Sequence, residues 1–511
     1  MAHYFAPKAR RVLPSFRSFS ETIELGELRD ARSAIPPPIV ISIDNNIIAW
    51  RRHKTIGTAG DLLGSALVAA VRDSGPVVEA AEFVLSNSEL ASPSQQALAK
   101  RVMGLNSTES INESLPHIRD FLKTNTKHVL YDRIRELKAA AIRFSRDPIL
   151  FVELARLYSV LGQEEQAKRN MRIAVSLAPE NRYVLRSFVR LFAHFDDAEY
   201  AYSVIRRSPA AKIDPWLLSA EMSLSVMLGR ENNLFKRGLE LVKSENFSPF
   251  STAELTSALG TVEFLAGSRS KSKNLLRQAL SDPNDNALAQ VEWVLTQEKL
   301  FTLEVTHFDV KRNFEASALE AFDNHEWIKA LEFAERWFLD MPFSKRPIML
   351  GSLVSSVVLD DQKTAEIFCR AGLSSHPGNS QLINNLAYSL ALDNRIGEAA
   401  NLLDSVNVPG ESDPTNKVCL IATQGLIAFR QGNLDLGRNL YRSAIEASEH
   451  IPSKRLRKLA LLNYAREEVL VGGIQGEELI SEVRQLNFDK QEAALHILCE
   501  RVLKLYDQRK K

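Results

Sequence analysis

Three alanines, Ala330, Ala365 and Ala399, stand 35 and 34 residues apart, and Pro342 and Pro377 follow the first two at a separation of 35. This period constrains the 511-residue chain more than any other feature, because a unit that short cannot bury its own apolar face and must stack on its neighbours. One unit is legible in "DPILFVELARLYSVLGQEEQAKRNMRIAVSLAPEN", residues 147–181. Phe151, Leu154, Ala155 and Tyr158 share one helical face, and Gly162 stands where the helix needs a left-handed stop. Ala167, Met171 and Ala174 line a second helix, which Pro179 ends. Ala155, Ala167 and Ala174 are small where two antiparallel helices must come close.

The pattern recurs in "NNLAYSLALDNRIGEAANLL" from Asn384 and "QGLIAFRQGNLDLGRNLYRSAI" from Gln424. Weaker copies are "SALGTVEFLAGSRSKSKNLLRQAL" from Ser257 and "SALEAFDNHEWIKALEFAERWF" from Ser317. These aromatic, small, Tyr, Gly, Ala and Pro positions resemble the tetratricopeptide repeat. The resemblance implies a mainly α protein, a tetratricopeptide-repeat-like α-solenoid of antiparallel helix pairs, with about nine units and a long inner groove. The expected organisation is a basic extended arm over 1–38 and a mostly helical region with one short strand over 39–146. A first solenoid half follows over 147–286, an irregular junction over 287–310, a second half over 311–488 and a cap helix over 489–511. The junction is placed by "LFTLEVTHF", whose Phe301, Leu303 and Val305 alternate with polar neighbours as in extended chain.

Composition excludes more than it suggests. With 64 Lys and Arg against 63 Asp and Glu, no global field recruits nucleic acid or an anionic membrane. The longest apolar run, "LLGSALVAAV" from Leu62, is half a membrane span. Cys369, Cys419 and Cys499 lie far apart in helical patterns and read as small hydrophobes of a reducing, cytoplasmic compartment. There is no phosphate-binding glycine motif, no HExxH and no CxxC.

One stretch points to chemistry. "VISIDNNIIAW", residues 40–50, is similar to the first strand of PIN-domain ribonucleases, an apolar strand that ends in an acid. That resemblance implies a set of acids holding Mg or Mn, for which Asp44, Glu89 and Asp132 are the available residues, with Asp147 as a fourth at the N-cap of the first repeat. The bland alternative is an amino-terminal strand or arm with no catalytic residue and no cofactor.

Function is therefore read as a non-catalytic protein-interaction scaffold or adaptor. By analogy with repeat proteins of this size, its setting would be as a sensor or regulatory subunit of a bacterial defence or toxin-type complex. The alternative is a PIN-like metal-dependent ribonuclease targeted by its solenoid. Partners are proteins, taken by the groove and the arm, ahead of nucleic acid and with no membrane. In the groove, Asn385 fills the slot from which the repeat family bonds a ligand backbone, with Tyr388 three residues on as a second groove residue. Equivalent slots hold Glu153, Ala316, Gly351 and Thr423, so a folded or helical partner surface is expected over an extended peptide. Through residue 54 the arm holds nine basic residues, Arg10, Arg11 and Arg17 among them, against five acids. With its interleaved aromatics the arm is either a tether to an acidic partner surface or a contact to RNA, and the lack of a further basic patch favours the tether.

Overall fold

The computed structural model describes residues 15–25, 43–68, 71, 73–105, 117–230, 233–244, 246–451 and 454–510. Among them every regular element is a helix. Two compact units are formed, one from the described residues of Arg10–Pro116 and Lys123–Ala316, the other from His117–Leu122 and Ser317–Lys511.

The first unit opens with α1 (Phe19–Leu25) and a bundle of α2 (Ile43–Arg52), α3 (Ile56–Val68), α4 (Gly75–Ser86) and α5 (Pro93–Val102). The bundle closes over Trp50, Leu62, Leu63, Val77 and Val84. Here the expected strand is corrected, since residues 43–52 are helical; Val40 and Ile41, the rest of that stretch, lie outside the described residues. The helix wins because Ile43, Ile47 and Trp50 repeat at four and three residues and turn one face to the core. Asp44 at its start and Arg51 and Arg52 at its end also suit the helix dipole. Asn46 is buried in the bundle, donating to Asp61 O at 3.2 Å and Ser65 Oγ at 2.9 Å.

A short helix, α6 (Ile118–Phe121), belongs to the second unit, where Phe121 meets Phe338 edge-on at 5.0 Å. The chain returns to the first unit with α7 (Thr124–Arg143). Helix pairs follow: α8 (Pro148–Val160) with α9 (Glu164–Leu177), and α10 (Arg182–His194) with α11 (Ala198–Ile205). Next come α12 (Pro215–Met227) with α13 (Phe235–Lys243), α14 (Pro249–Leu265) with α15 (Arg269–Ala279), and α16 (Asp285–Gln297). The first helix of each pair is called its A helix.

A helices start at regular side-chain caps. Asp147, Asn181, Asp214, Ser248 and Asn284 each accept a hydrogen bond from a backbone N–H of the first turn. Each such cap stabilises by about 1 kcal/mol. The helix α16 runs to Gln297, so the irregular junction expected over 287–310 begins only at residue 298. From there Leu300, Phe301, Leu303, Phe308 and Val310 pack on the cluster around Leu276, Leu288 and Val291. Of the alternating residues in "LFTLEVTHF", Phe301 and Leu303 pack there, while Val305 is exposed at the start of a 3-10 turn, Val305–Phe308.

Beyond it lie α17 (Phe314–Asp323), α18 (Trp327–Asp340), α19 (Lys345–Leu353) and α20 (Gln362–Ser375), with α19 continuing into a π-helical turn at Val354–Val358. Then come α21 (Ser380–Leu392), α22 (Ile396–Asp404), α23 (Pro414–Arg430), α24 (Leu434–Glu449), α25 (Lys454–Val471) and α26 (Gly476–Arg484). Among the described residues the chain therefore holds nine helix pairs, and α27 (Ala493–Arg509) closes it, burying Leu495, Leu498 and Val502.

Gly351 shows how closely the pairs approach. A Cβ there would lie 2.4 Å from the Phe368 ring of α20. Gly351→Ala is expected to destabilise by about 1–3 kcal/mol through overpacking. Urea unfolding checks this, and adding Phe368→Leu should recover part of the loss.

Candidate functional site

The sequence-derived acids are not gathered into a site. Asp44 is exposed in the first turn of α2, Glu89 is exposed in the turn after α4, and Asp132 lies on α7 in an ion pair with Arg135. Asp147 caps α8 and accepts from Ser94 Oγ at 2.6 Å. Among the described residues there is no strand to form the sheet of a PIN domain, and no group of three His, Cys, Asp or Glu placed to hold a metal ion. The fold expected from that resemblance is corrected accordingly.

Instead the A-helix face of the first stack holds a piece of the chain itself. Arg10 and Arg11 lie outside the described residues, but Arg17 is buried, its Nη2 2.6 Å from Asp285 Oδ2 at the start of α16. Ser15 donates from its N–H to Asn286 Oδ1 at 2.8 Å and from its hydroxyl to Asp285 Oδ2 at 2.7 Å. Glu153 of α8 accepts the Phe19 N–H at 2.7 Å, and the Tyr183 hydroxyl of α10 points between two acceptors, Glu153 Oε1 at 3.2 Å and the Arg17 carbonyl at 3.3 Å. The Phe19 ring stands edge-on to Tyr183 at 5.1 Å. At the far end Arg312 Nη1 lies 2.8 Å from Glu21 Oε1.

Electrostatics keeps Glu21 and Asp285 in their charged forms. Burial would raise the pKa of Glu21, but Arg156 and Arg312 outweigh it and hold the carboxyl down at about 2. Asp285 is likewise lowered against its burial, chiefly by Arg17. Burial and Glu153 push the Tyr183 phenol well above its usual value, so it serves as a neutral donor. Behind the segment, Glu254 Oε1 accepts from Arg186 Nη2 at 2.9 Å, Asn284 Nδ2 at 2.9 Å and Asn286 Nδ2 at 3.0 Å.

The second stack builds a different surface. Asn385 is buried and its Nδ2 reaches Ser352 Oγ at 3.4 Å, on α19. Tyr388 donates its hydroxyl to Asn463 Oδ1 at 2.8 Å and accepts from Arg466 Nη1 at 3.3 Å. Arg430 and Arg466 share one carboxylate, Glu467, at 2.6 and 2.8 Å. Burial works against the charge on Arg466, yet Tyr388 and Glu467 outweigh it and push its pKa up. Tyr388, Arg430 and Arg466 line a cavity of about 430 Å³ with Lys363, Asp360 and Arg501, whereas Asn385 does not reach it. Arg501, on α27, donates to Val357 O at 3.1 Å and Val358 O at 2.9 Å, carbonyls of the π-helical turn. The thiols take no part: burial pushes Cys369 up to about 12 and Cys419 up to about 11.

Sequence reasoning missed Arg156, Tyr183, Asp285, Asn286 and Arg312. A signal was present in Glu153, which fills the ligand-bonding slot of the first repeat and does bond a main-chain N–H. The expected tether residue Arg17 is turned onto the chain's own stack.

The fold and these faces define a class, the proteins built from stacked helix pairs. No family model matches the sequence, and no curated protein does. One solved structure with similarity to this chain is that of the yeast Tom70, 13% identical, covering 77% of this chain and 96% of that one, with a TM-score of 0.30. At that score the overlay carries no argument, and the assignment of the fold stands on the helix pairs themselves. Among the described residues no helix is long and apolar enough to cross a membrane.

Proposed function

We propose that this chain is a non-catalytic protein-interaction scaffold of the tetratricopeptide-repeat type, whose A-helix faces take segments of partner proteins. One observation carries this reading: each stack holds a segment of its own chain on that face, residues 15–23 on α8, α10 and α16, and α27 on α25 and the π-helical turn. A surface that seats a chain segment with matched donors, acceptors and charges has the properties a partner segment needs. In the second stack the surface offered is the Tyr388, Arg430 and Arg466 cavity.

The test is capture on the immobilised full-length chain. A stoichiometric protein partner is expected, with affinity lowered at least ~10-fold by combined Tyr388→Ala and Arg466→Ala, a loss of about 1.4 kcal/mol or more. The same purified chain is expected to leave RNA intact in Mg or Mn. Metal-dependent RNA cleavage that Asp44→Asn abolishes would replace the scaffold reading with the nuclease.

A further inference from the structure

Residues 15–23 bury Phe16, Phe19 and Ile23 as an ordinary structural plug would, but their seat reads more than apolar area. The segment also places a buried ion pair at each end and main-chain hydrogen bonds between them. A buried ion pair gains little over an apolar pair of the same shape, but a segment that fails to supply one of its charges is strongly penalised, so such pairs select which partner is accepted. The contacts also divide by what they read. Asn286, Glu153 and Tyr183 bond the main chain at residues 15, 19 and 17, and any sequence can supply those groups. Asp285 demands a cation and the Arg156–Arg312 pair demands an anion, two sites filled here by residues four apart. Between them the Tyr183 ring takes an aromatic side chain.

We propose that the A-helix face of the first stack is a receptor for a partner-protein segment carrying an arginine, an aromatic residue two positions later and a carboxylate four positions later, and that residues 15–23 are its resident competitor. This rests on the scaffold reading and names its ligand. The resident segment is tethered, so its effective concentration is on the order of millimolar and it masks the face from weaker ligands. A partner gains access when it outcompetes the tether, or when something else unseats it.

The experiment uses the full chain and a fluorescein-labelled peptide of sequence 13–25, read by anisotropy. Arg17→Ala with Phe19→Ala in the chain unseats the resident segment, and this double variant is expected to bind the peptide at least ~10-fold more tightly than the unaltered chain. Adding Asp285→Arg to it should abolish that binding and restore it for a peptide carrying Arg17→Glu. Arg312→Glu, paired with a peptide carrying Glu21→Arg, repeats the exchange at the other end should the first variant unfold, with circular dichroism monitoring every chain. A folded double variant that takes no peptide, or takes both peptides alike, overturns the proposal. A dimer of the unaltered chain that free peptide dissolves would give the face to a second copy and overturn it too. None of these results bears on partner capture through Tyr388 and Arg466, so the scaffold reading stands or falls separately.

Discussion

A chain carrying Glu254→Ala is expected to lose about 3–5 kcal/mol of stability, the cost of taking the carboxylate out of a buried ion-pair cluster. Glu254 Oε1 is the point on which Arg186 at 2.9 Å and Arg190 at 3.7 Å converge from α10, with two asparagine amides completing its shell. Both arginines are almost fully enclosed, and Arg186 lies over the Trp216 ring at 4.2 Å, so neither can swing into solvent to recover hydration. Burial would raise the pKa of Glu254, but the two arginines outweigh it and keep the carboxylate charged. Truncation therefore removes a negative charge from between two positive ones and opens space beside them. Glu254→Gln, which keeps the shape, should cost less. Urea unfolding followed by circular dichroism measures both. A loss under about 1 kcal/mol for the alanine variant would mean that Asp285, the neighbouring acid, can compensate both arginines alone.

How much of this was legible beforehand depends on the kind of signal each residue carries. Gly162 was readable as a turn residue and holds φ of 69°, and Gly432 takes the same place with φ of 85°. The same left-handed position between paired helices is filled by Asp196, His325, Asp360 and Asn394, with φ between 58° and 63°. Asp, Asn and His tolerate that conformation without announcing it, so the period was visible in only some repeats. The amino-terminal stretch misled for the opposite reason. Its β-branched residues argued strand, while Ile43, Ile47 and Trp50 argued helix, and burial of Trp50 against α4 decided the matter. The seat for residues 15–23 was beyond sequence patterning. Arg17 and Asp285 are 268 positions apart, and nothing local in either one names the other. Only Glu153, in a slot where the repeat family bonds a ligand backbone, marked the face in advance.

Glu21 gives that face a dependence on acid. Its folded pKa of about 2 lies below the ordinary value of 4.5, so ionised Glu21 contributes stability that is fully present above about pH 4.5. The contribution falls as pH drops through that window and is gone below about 2. At 1.36 kcal/mol for each pH unit it amounts to about 3 kcal/mol at neutral pH. Glu21→Gln removes it at every pH by taking the carboxylate charge away from Arg312 and Arg156. The difference in melting temperature between the unaltered chain and Glu21→Gln is therefore expected to be large at pH 7, to shrink between pH 4.5 and 3, and to approach zero near pH 2. Asp285 and Glu254 also titrate on that path, and the whole chain loses stability in acid, but both chains share those groups and the difference isolates Glu21. A gap that stays constant from pH 7 to pH 2.5 would show that Glu21 is held by its hydrogen bonds to Ser18 and by packing, not by the charges of Arg156 and Arg312. A gap that closes places the grip of the first stack on its segment in that pair of arginines. The anion demanded of any competing partner then follows from the same charge.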